Sequence, residues 1–174
     1  MAQFDEEMRN TMAKLVQAIK VSRIVKGDNV PLQIEEGLFL GSVGAANNKD
    51  ALKINNVTHI LTVAKSLPPL YPKDFAYKIV GVADREDTDL SQYFDACFDF
   101  IDEAKSQGGG TLVHCFVGMS RSVTIVVAYL MKKRGMTLSQ ALEYVKARRP
   151  QASPNSGFIS QLQEFEKSLR GSSS

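Results

Sequence analysis

Short apolar runs alternate with longer segments of helical periodicity along most of this 174-residue chain. The runs are rich in β-branched residues and are bounded by glycine, proline or polar turns, which is typical of buried strands. They comprise a hairpin over 34–41 that turns at Gly37, and strands at Val57–Val63, Tyr77–Val82 and Thr111–Val113. Strands that alternate with helices predict an α/β layered domain with helices on both faces of its sheet.

The segments between and after these strands carry apolar residues at the three- and four-residue spacing of helices that face a core. Polar N-caps and a glycine at Gly135 mark where several of them begin or end. The expected helices are a short one at Gly44–Leu52, one capped by Ser91 with Phe94, Phe98 and Ile101 on its apolar face, an almost wholly apolar one at Val123–Met131, one that starts at Thr137, and a last one with the stripe Phe158, Leu162, Phe165 and Leu169.

Residues 1–30 are predicted to form an amphipathic helical extension, ahead of a single domain at 31–170 and a disordered tail at 171–174. The apolar positions of the extension fall at helical spacing, namely Phe4, Met8, Met12, Leu15 and Ile19. Such a stripe usually packs on a core, which predicts that the helix lies against the domain. Alternatively, residues 8–26 form a basic helix with methionine anchors, which resembles a calmodulin target.

The charge balance excludes several classes of partner. The net charge is +2, so the sequence indicates no electrostatic preference for nucleic acid or for a membrane surface. No run approaches the roughly 18 apolar residues of a membrane span. The acidic, polar N-terminus is unlike a secretion signal, so we expect the protein in the cytoplasm, the nucleus or both.

Cysteine and histidine are scarce, with two residues of each type. Two cysteines are too few for a disulfide scaffold, and no spacing of ligands indicates a zinc site, so no metal is expected. Cys97 lies near the apolar face of a helix, which favours a buried structural thiol over a redox partner for Cys115. His59 lies inside an apolar strand and is expected to be a hydrogen-bonded core histidine.

The chain is organised around residues 111–122, in which a short strand leads through a tight loop into the apolar helix. Unpaired N–H groups at a helix start and in a tight loop favour an oxyanion. The guanidinium of Arg121 can bind two oxygens of a phosphate at once. The same positive field stabilises a thiolate at Cys115, which would then face a bound phosphate as a nucleophile.

The motif His-Cys-Phe-Val-Gly-Met-Ser-Arg-Ser resembles the HCxxGxxR signature of cysteine-based protein phosphatases, and its Ser-Arg-Ser ending resembles the dual-specificity subgroup. The chain from Ile34 to Leu169 is similar to small plant phosphatases of the mitogen-activated-kinase-phosphatase type. The resemblance implies a single-domain fold with a central mixed sheet of about five strands. It also implies hydrolysis of phosphotyrosine and phosphoserine or phosphothreonine through a phosphocysteine, without a cofactor, with mitogen-activated protein kinases as expected substrates.

The resemblance assigns roles within the motif. Cys115 is the nucleophile, Arg121 is the phosphate clamp, and Ser122 assists departure of the sulfur. His114 adjoins Cys115 on a strand and faces the opposite side, so it is poorly placed as a base and instead orients the loop. The remaining substrate-binding residues supply mainly backbone N–H groups: Phe116, Val117, Gly118, Met119 and Ser120.

The leaving oxygen needs a proton, and a loop carboxylic acid is the usual donor. Asp84 is the first choice because it follows a strand and lies at the family spacing, whereas Asp87 and Asp89 remain alternatives. Asn155 matches a family segment that supports the active site, although helix capping would also explain it. A second class of function also stays open, in which the domain binds phosphopeptides or calmodulin with slow chemistry.

Overall fold

The computed structural model describes the backbone of residues 2–171, together with the side chains of residues 5–16 and 27–171. Five strands form one mixed sheet in the order β1-β2-β5-β3-β4. The first two strands are antiparallel, and the remaining pairs are parallel. The sheet agrees with the predicted α/β fold. The strands are β1 (Leu32–Glu35), β2 (Leu38–Gly41), β3 (Val57–Val63), β4 (Ala76–Val80) and β5 (Gly110–His114).

Helices cover both faces of the sheet, as the alternation predicted. Leu38 and Leu40 face a large core under the four later helices, whereas Phe39 faces a smaller core under two short helices. This division follows the two-residue period of a strand. The helices are α1 (Ala2–Gly27), α2 (Val43–Ala46), α3 (Lys49–Ile54), α4 (Phe94–Ser106), α5 (Arg121–Arg134), α6 (Leu138–Arg148) and α7 (Ser156–Gly171).

Strand β5 is central, and all five of its residues are buried. It pairs in parallel with β2 and β3, so that His114 lies beside Gly41 on one side and Thr62 on the other. Carboxyl ends of parallel strands therefore meet at one edge of the sheet, where ligands usually bind in open α/β folds. The segments that follow these strands are brought together at this edge.

Strand β4 ends at Val80 and not at Val82 as predicted, and two of the predicted helices differ in detail. The predicted helix at Gly44–Leu52 is divided into α2 and α3, because Asn48 caps a new helix by accepting from the N–H of Ala51. The prediction that Ser91 is an N-cap is wrong. Its hydroxyl donates to Asp89, and a 3₁₀ turn at Ser91–Tyr93 precedes α4.

The N-terminal extension forms the long helix α1, but its described stripe does not pack on the domain. Met8, Met12 and Leu15 are each more than half exposed, whereas the side chains of Phe4 and Ile19 lie outside the described residues. Helix α7 includes Gly171, the first residue of the predicted tail, and residues 172–174 also lie outside the described part. Between residues 2 and 171, no helix has the length and apolar character needed to cross a bilayer.

Candidate active site

The site lies where β5 ends and α5 begins, at residues 115–120, which we call the 115–120 loop. Cys115 is 3% exposed, and its Sγ accepts a hydrogen bond from the N–H of Gly118 at 3.2 Å. The Oγ of Ser122, in the first turn of α5, also lies 3.2 Å from this sulfur. Two polar groups thus lie within hydrogen-bond distance of the sulfur.

Every carbonyl group of the 115–120 loop accepts a hydrogen bond from the structure around it. The donors are the ring of His114, the N–H of Val43, the guanidinium of Arg149, the N–H of Ser153, and both the N–H and hydroxyl of Thr124. In the described part of the chain, the N–H groups of Phe116, Val117 and Met119 have no such partner. Outward carbonyls and unpaired N–H groups are the arrangement of an anion-binding nest.

Arg121 begins α5 and is half-buried at the edge of the loop. Its Nη1 donates to the carbonyl oxygen of Val82 at 2.9 Å, which restricts the orientation of the guanidinium. Its Nε is buried without a hydrogen-bond partner among the described residues. An unsatisfied buried donor is costly, and a bound oxyanion would satisfy it.

His114 is buried and contacts the first residue of the 115–120 loop. Burial, with a smaller contribution from the charge of Arg121, lowers the pKa of His114 to about 4 against the opposing effect of the Cys115 carbonyl. The ring is therefore neutral near pH 7, so Nδ1 donates to the carbonyl of Cys115 at 3.0 Å and Nε2 accepts from the hydroxyl of Thr62 at 2.8 Å. These bonds engage both ring nitrogens and so fix the orientation of the ring against the 115–120 loop.

Asp84 is connected to the loop through Asn155. The Nδ2 of Asn155 donates to Asp84 at 2.9 Å, and its backbone N–H donates to the Oγ of Ser120, also at 2.9 Å. Asn155 also caps α7 by accepting from the N–H of Phe158. Both expectations for Asn155, support of the site and helix capping, therefore describe contacts that the side chain makes at once.

The other two carboxylates of this acidic segment have different partners. Asp87 receives two hydrogen bonds from Arg85, at 2.9 and 3.0 Å. Asp89 accepts from the hydroxyl of Ser91 and from the N–H of Gln92. Of the three candidate acids, Asp84 is the one whose partner also contacts the 115–120 loop.

Sequence reasoning missed Arg149 and Asp28. Arg149 is 4% exposed and donates to the carbonyls of Val117 and Gly118, at 3.0 and 2.7 Å. It also forms an ion pair with Asp28, which directly follows α1. In the sequence, Arg149 lies in an Arg-Arg-Pro segment that indicates only the end of a helix.

The second cysteine is separate from this chemistry. Cys97 is fully buried in the main core on α4, and burial raises the pKa of its thiol to about 12. His59 is also buried, with its Nδ1 2.8 Å from the hydroxyl of Thr58. Among the side chains that the structure describes, at 5–16 and 27–171, no group of three histidine, cysteine or acidic residues could hold a metal ion.

The fold and this loop define a phosphatase of the dual-specificity class. The family described as "Dual specificity phosphatase, catalytic domain" matches residues 38–168, and the chain belongs to this family. Its matched region contains the central strand and the whole 115–120 loop.

Two plant relatives are similar over nearly their whole length. Dual specificity protein phosphatase 1 of Arabidopsis thaliana is 65% identical over 167 residues, which cover 96% of this chain and 84% of the relative. Dual specificity protein phosphatase 1B of the same species is 62% identical over 149 residues, with 86% and 89% covered. MAP kinase phosphatase with leucine-rich repeats protein 1 of Dictyostelium discoideum is 44% identical, over 80% of this chain and 16% of that protein.

Solved structures agree with the assignment. The crystal structure of human DUSP28 superimposes with a TM-score of 0.77 at 37% identity, covering 80% of this chain and 95% of the human one. The crystal structure of DUSP15 gives a TM-score of 0.75 at 40% identity, with 79% and 88% covered. Both likenesses support the fold and the family together.

Proposed function

We propose that this phosphatase removes phosphate from phosphotyrosine and from phosphoserine or phosphothreonine in proteins through a phosphocysteine intermediate. The observation that carries the proposal is the 115–120 loop, whose carbonyls are all bonded outward around the sulfur of Cys115. The oxygens of a phosphate monoester would accept hydrogen bonds from the inward N–H groups and from Arg121, which lack these partners among the described residues.

In the first step, the thiolate of Cys115 attacks phosphorus and the bond from phosphorus to the leaving oxygen breaks. Asp84 gives its proton to that oxygen, which departs as a neutral hydroxyl group. Arg121 and the loop N–H groups stabilise the charge on the three remaining phosphoryl oxygens. The bond between Asn155 and Asp84 holds the acid on the loop side of its segment.

In the second step, water attacks the phosphorus of the phosphocysteine, and the carboxylate of Asp84 accepts a proton from it. The bond between sulfur and phosphorus breaks, and inorganic phosphate is released. The sulfur departs as a thiolate, and the hydroxyl of Ser122 donates a hydrogen bond to it from 3.2 Å. The enzyme thereby returns to its starting state without a cofactor.

Steady-state hydrolysis of a doubly phosphorylated Thr-x-Tyr peptide tests this mechanism. We expect Asp84→Asn to lower kcat by about 10²–10⁴-fold, the usual contribution of a general acid. Asp87→Asn is the matched control, because its carboxylate is held by Arg85, and it should retain wild-type kcat. Normal turnover in Asp84→Asn with loss in Asp87→Asn would transfer the acid role to Asp87.

Cys115→Ser separates catalysis from binding. It should abolish turnover and retain affinity for the phosphopeptide, because the loop N–H groups and Arg121 remain. Full turnover in this variant would contradict the nucleophile assignment. Wild-type protein that binds the peptide and releases neither phosphate would instead support a phosphopeptide-binding module.

We further propose mitogen-activated protein kinases as substrates, in the cytoplasm or nucleus. Support comes from the relative from Dictyostelium, which is named as a MAP kinase phosphatase. The rim of the site carries two partly exposed apolar side chains, Phe116 and Met119, which suit a protein segment that lies across the loop. Dephosphorylation of a doubly phosphorylated kinase, followed residue by residue with mass spectrometry, tests the substrate.

Calmodulin is proposed as a partner of residues 8–26. In the described part of this segment, Met8, Met12 and Leu15 are exposed at helical spacing, as an anchor stripe for a groove requires. Calcium-dependent binding should be measured by calorimetry with wild type and with Met8→Gln/Met12→Gln. Equal binding by the two proteins, or binding that survives calcium chelation, would contradict this proposal.

A further inference from the structure

Arg149 controls the orientation of two successive peptide groups in the 115–120 loop. The carbonyl of Val117 and the N–H of Gly118 belong to one planar peptide group. This carbonyl accepts from Nη2 of Arg149 at 3.0 Å, while the N–H points the opposite way and donates to the sulfur of Cys115. The next carbonyl, of Gly118, accepts from Nε at 2.7 Å, which turns the N–H of Met119 to the same inner side.

Asp28 in turn fixes Arg149. Its carboxylate oxygens accept from Nη1 and Nη2 of the guanidinium, in the bidentate geometry that holds an arginine in one orientation. The arginine side chain is 4% exposed and the aspartate 17%. In the described part of the chain, Arg149 forms an ion pair with no other acidic residue, so its buried charge depends on Asp28.

The segment after α1 reaches the loop by a second route. The carbonyl of Asp28 accepts from the hydroxyl of Ser42 at 2.8 Å, and that hydroxyl caps α2 by accepting from the N–H of Gly44. The first residue of α2, Val43, donates its N–H to the carbonyl of Phe116 at 3.0 Å. Asp28 therefore contacts Arg149, which supports the carbonyls of Val117 and Gly118, and Ser42, which adjoins the residue that supports the carbonyl of Phe116.

We propose that Asp28 is a positioning residue, which acts through Arg149 to hold the 115–120 loop in its anion-binding form. This proposal rests on the function proposed above and adds a part that the family match does not contain, since the matched region begins at residue 38. The junction at the end of the N-terminal helix thereby becomes part of the catalytic apparatus. Loss of Asp28 leaves Arg149 without its counter-charge, and the two peptide groups lose their fixed direction.

Binding of sodium tungstate, an oxyanion of tetrahedral geometry, tests the loop independently of turnover. Calorimetry on the Asp28→Ala variant of this chain should give an affinity about tenfold weaker than wild type, the effect of one lost net hydrogen-bond contribution. The kcat for the diphosphorylated peptide should fall about a hundredfold, because small displacements of positioned groups have effects of that size. Asp28→Asn keeps the shape of the side chain but removes its charge, and it should be used in the same measurements if Asp28→Ala does not fold.

The coupling to Arg149 is tested with Arg149→Met, which keeps the apolar stem, and with the double variant Asp28→Ala/Arg149→Met. If Asp28 acts through Arg149, the double variant should bind tungstate no more weakly than Arg149→Met alone. Effects that simply add would overturn the proposed relay.

Glu35→Ala is the matched control for lost stability. Glu35 is 15% exposed and forms an ion pair with Lys105, remote from the loop. The Glu35→Ala substitution should lower the melting temperature and leave tungstate affinity and kcat unchanged. Wild-type tungstate affinity and kcat in Asp28→Ala would overturn the proposal while leaving the phosphatase function intact. If wild type binds tungstate without hydrolysing peptide, and Asp28→Ala weakens that binding, the positioning role stands and the proposed function fails.

Discussion

Replacing Gly118 with alanine tests whether the 115–120 loop depends on the close approach of its backbone to the neighbouring groups. Gly118 has φ +77°, in the left-handed region that side chains disfavour. A Cβ at this position would lie 2.6 Å from the carbonyl oxygen of Gly41 and 2.7 Å from Nη2 of Arg149. Neither neighbour can easily move, because one is backbone of β2 and the other is held by Asp28.

The free energy of unfolding should reflect both effects. Left-handed backbone costs a residue with a Cβ about 1–2 kcal/mol, and overpacking of a filled site adds about 1–3 kcal/mol. Gly135→Ala is the matched control, since Gly135 has φ +65° and a Cβ added there would meet no neighbouring group within 4 Å. Gly118→Ala should therefore be less stable than Gly135→Ala by about 1–3 kcal/mol.

Urea unfolding of both variants measures that difference, and peptide hydrolysis measures its consequence for the site. At about 2–4 °C for each kcal/mol in a domain of this size, the melting temperatures should differ by about 2–12 °C. Gly118→Ala should also lose kcat, because a shift of the Gly118 peptide moves the N–H that contacts the sulfur of Cys115. Equal stability of the two variants, with full activity in Gly118→Ala, would refute the argument from close approach.

Other contacts give further expectations. Because burial lowers the pKa of His114 to about 4, protonation favours unfolding: stability is complete above the unfolded pKa of about 6.5 and falls by about 3 kcal/mol as pH drops towards 4. Urea titrations from pH 7.5 to 5.0 should show this slope, and His114→Asn should remove it. Iodoacetamide at pH 7 should label Cys115 in native protein and leave Cys97 unmodified, because burial in the main core raises the pKa of the Cys97 thiol to about 12; labelling of both, as mass spectrometry would detect, would contradict this reasoning. Asn155→Asp keeps a capping oxygen but cannot donate to Asp84, so kcat should fall roughly tenfold with little change in melting temperature; unchanged kcat would exclude a positioning role.

Much of the fold could be predicted because its determinants are local or periodic. Alternation in β2 assigns Leu38 and Leu40 to one face and Phe39 to the other, and both faces are buried as expected. Boundaries were less accurate where side-chain bonds compete with helix extension. Asn48 starts a new helix inside the predicted one, and Ser91 bonds to Asp89 instead of capping α4.

The site divides in the same way between local and distant contacts. Cys115 and Arg121 lie close together in sequence, so the strand, loop and helix that relate them could be recognised from their order. The contact between Asp28 and Arg149 joins residues 121 positions apart. Neither residue belongs to a periodic pattern. A buried ion pair leaves no signal in one sequence, because each charged residue taken alone is indistinguishable from one in an exposed turn.

The basic side chains around the loop differ in whether they can bind the phosphate of a substrate. His114 is neutral because burial lowers its pKa to about 4, and Arg149 is paired with Asp28 while it supports two carbonyls. Arg121 is the cation here whose buried Nε lacks a partner among the described residues. With a net charge of only +2 on the chain, long-range attraction of a phosphoprotein is small. Recognition must then come from contact between the phosphate, one guanidinium and oriented N–H groups, and so the supports that orient those groups matter as much as the residues that touch the phosphate.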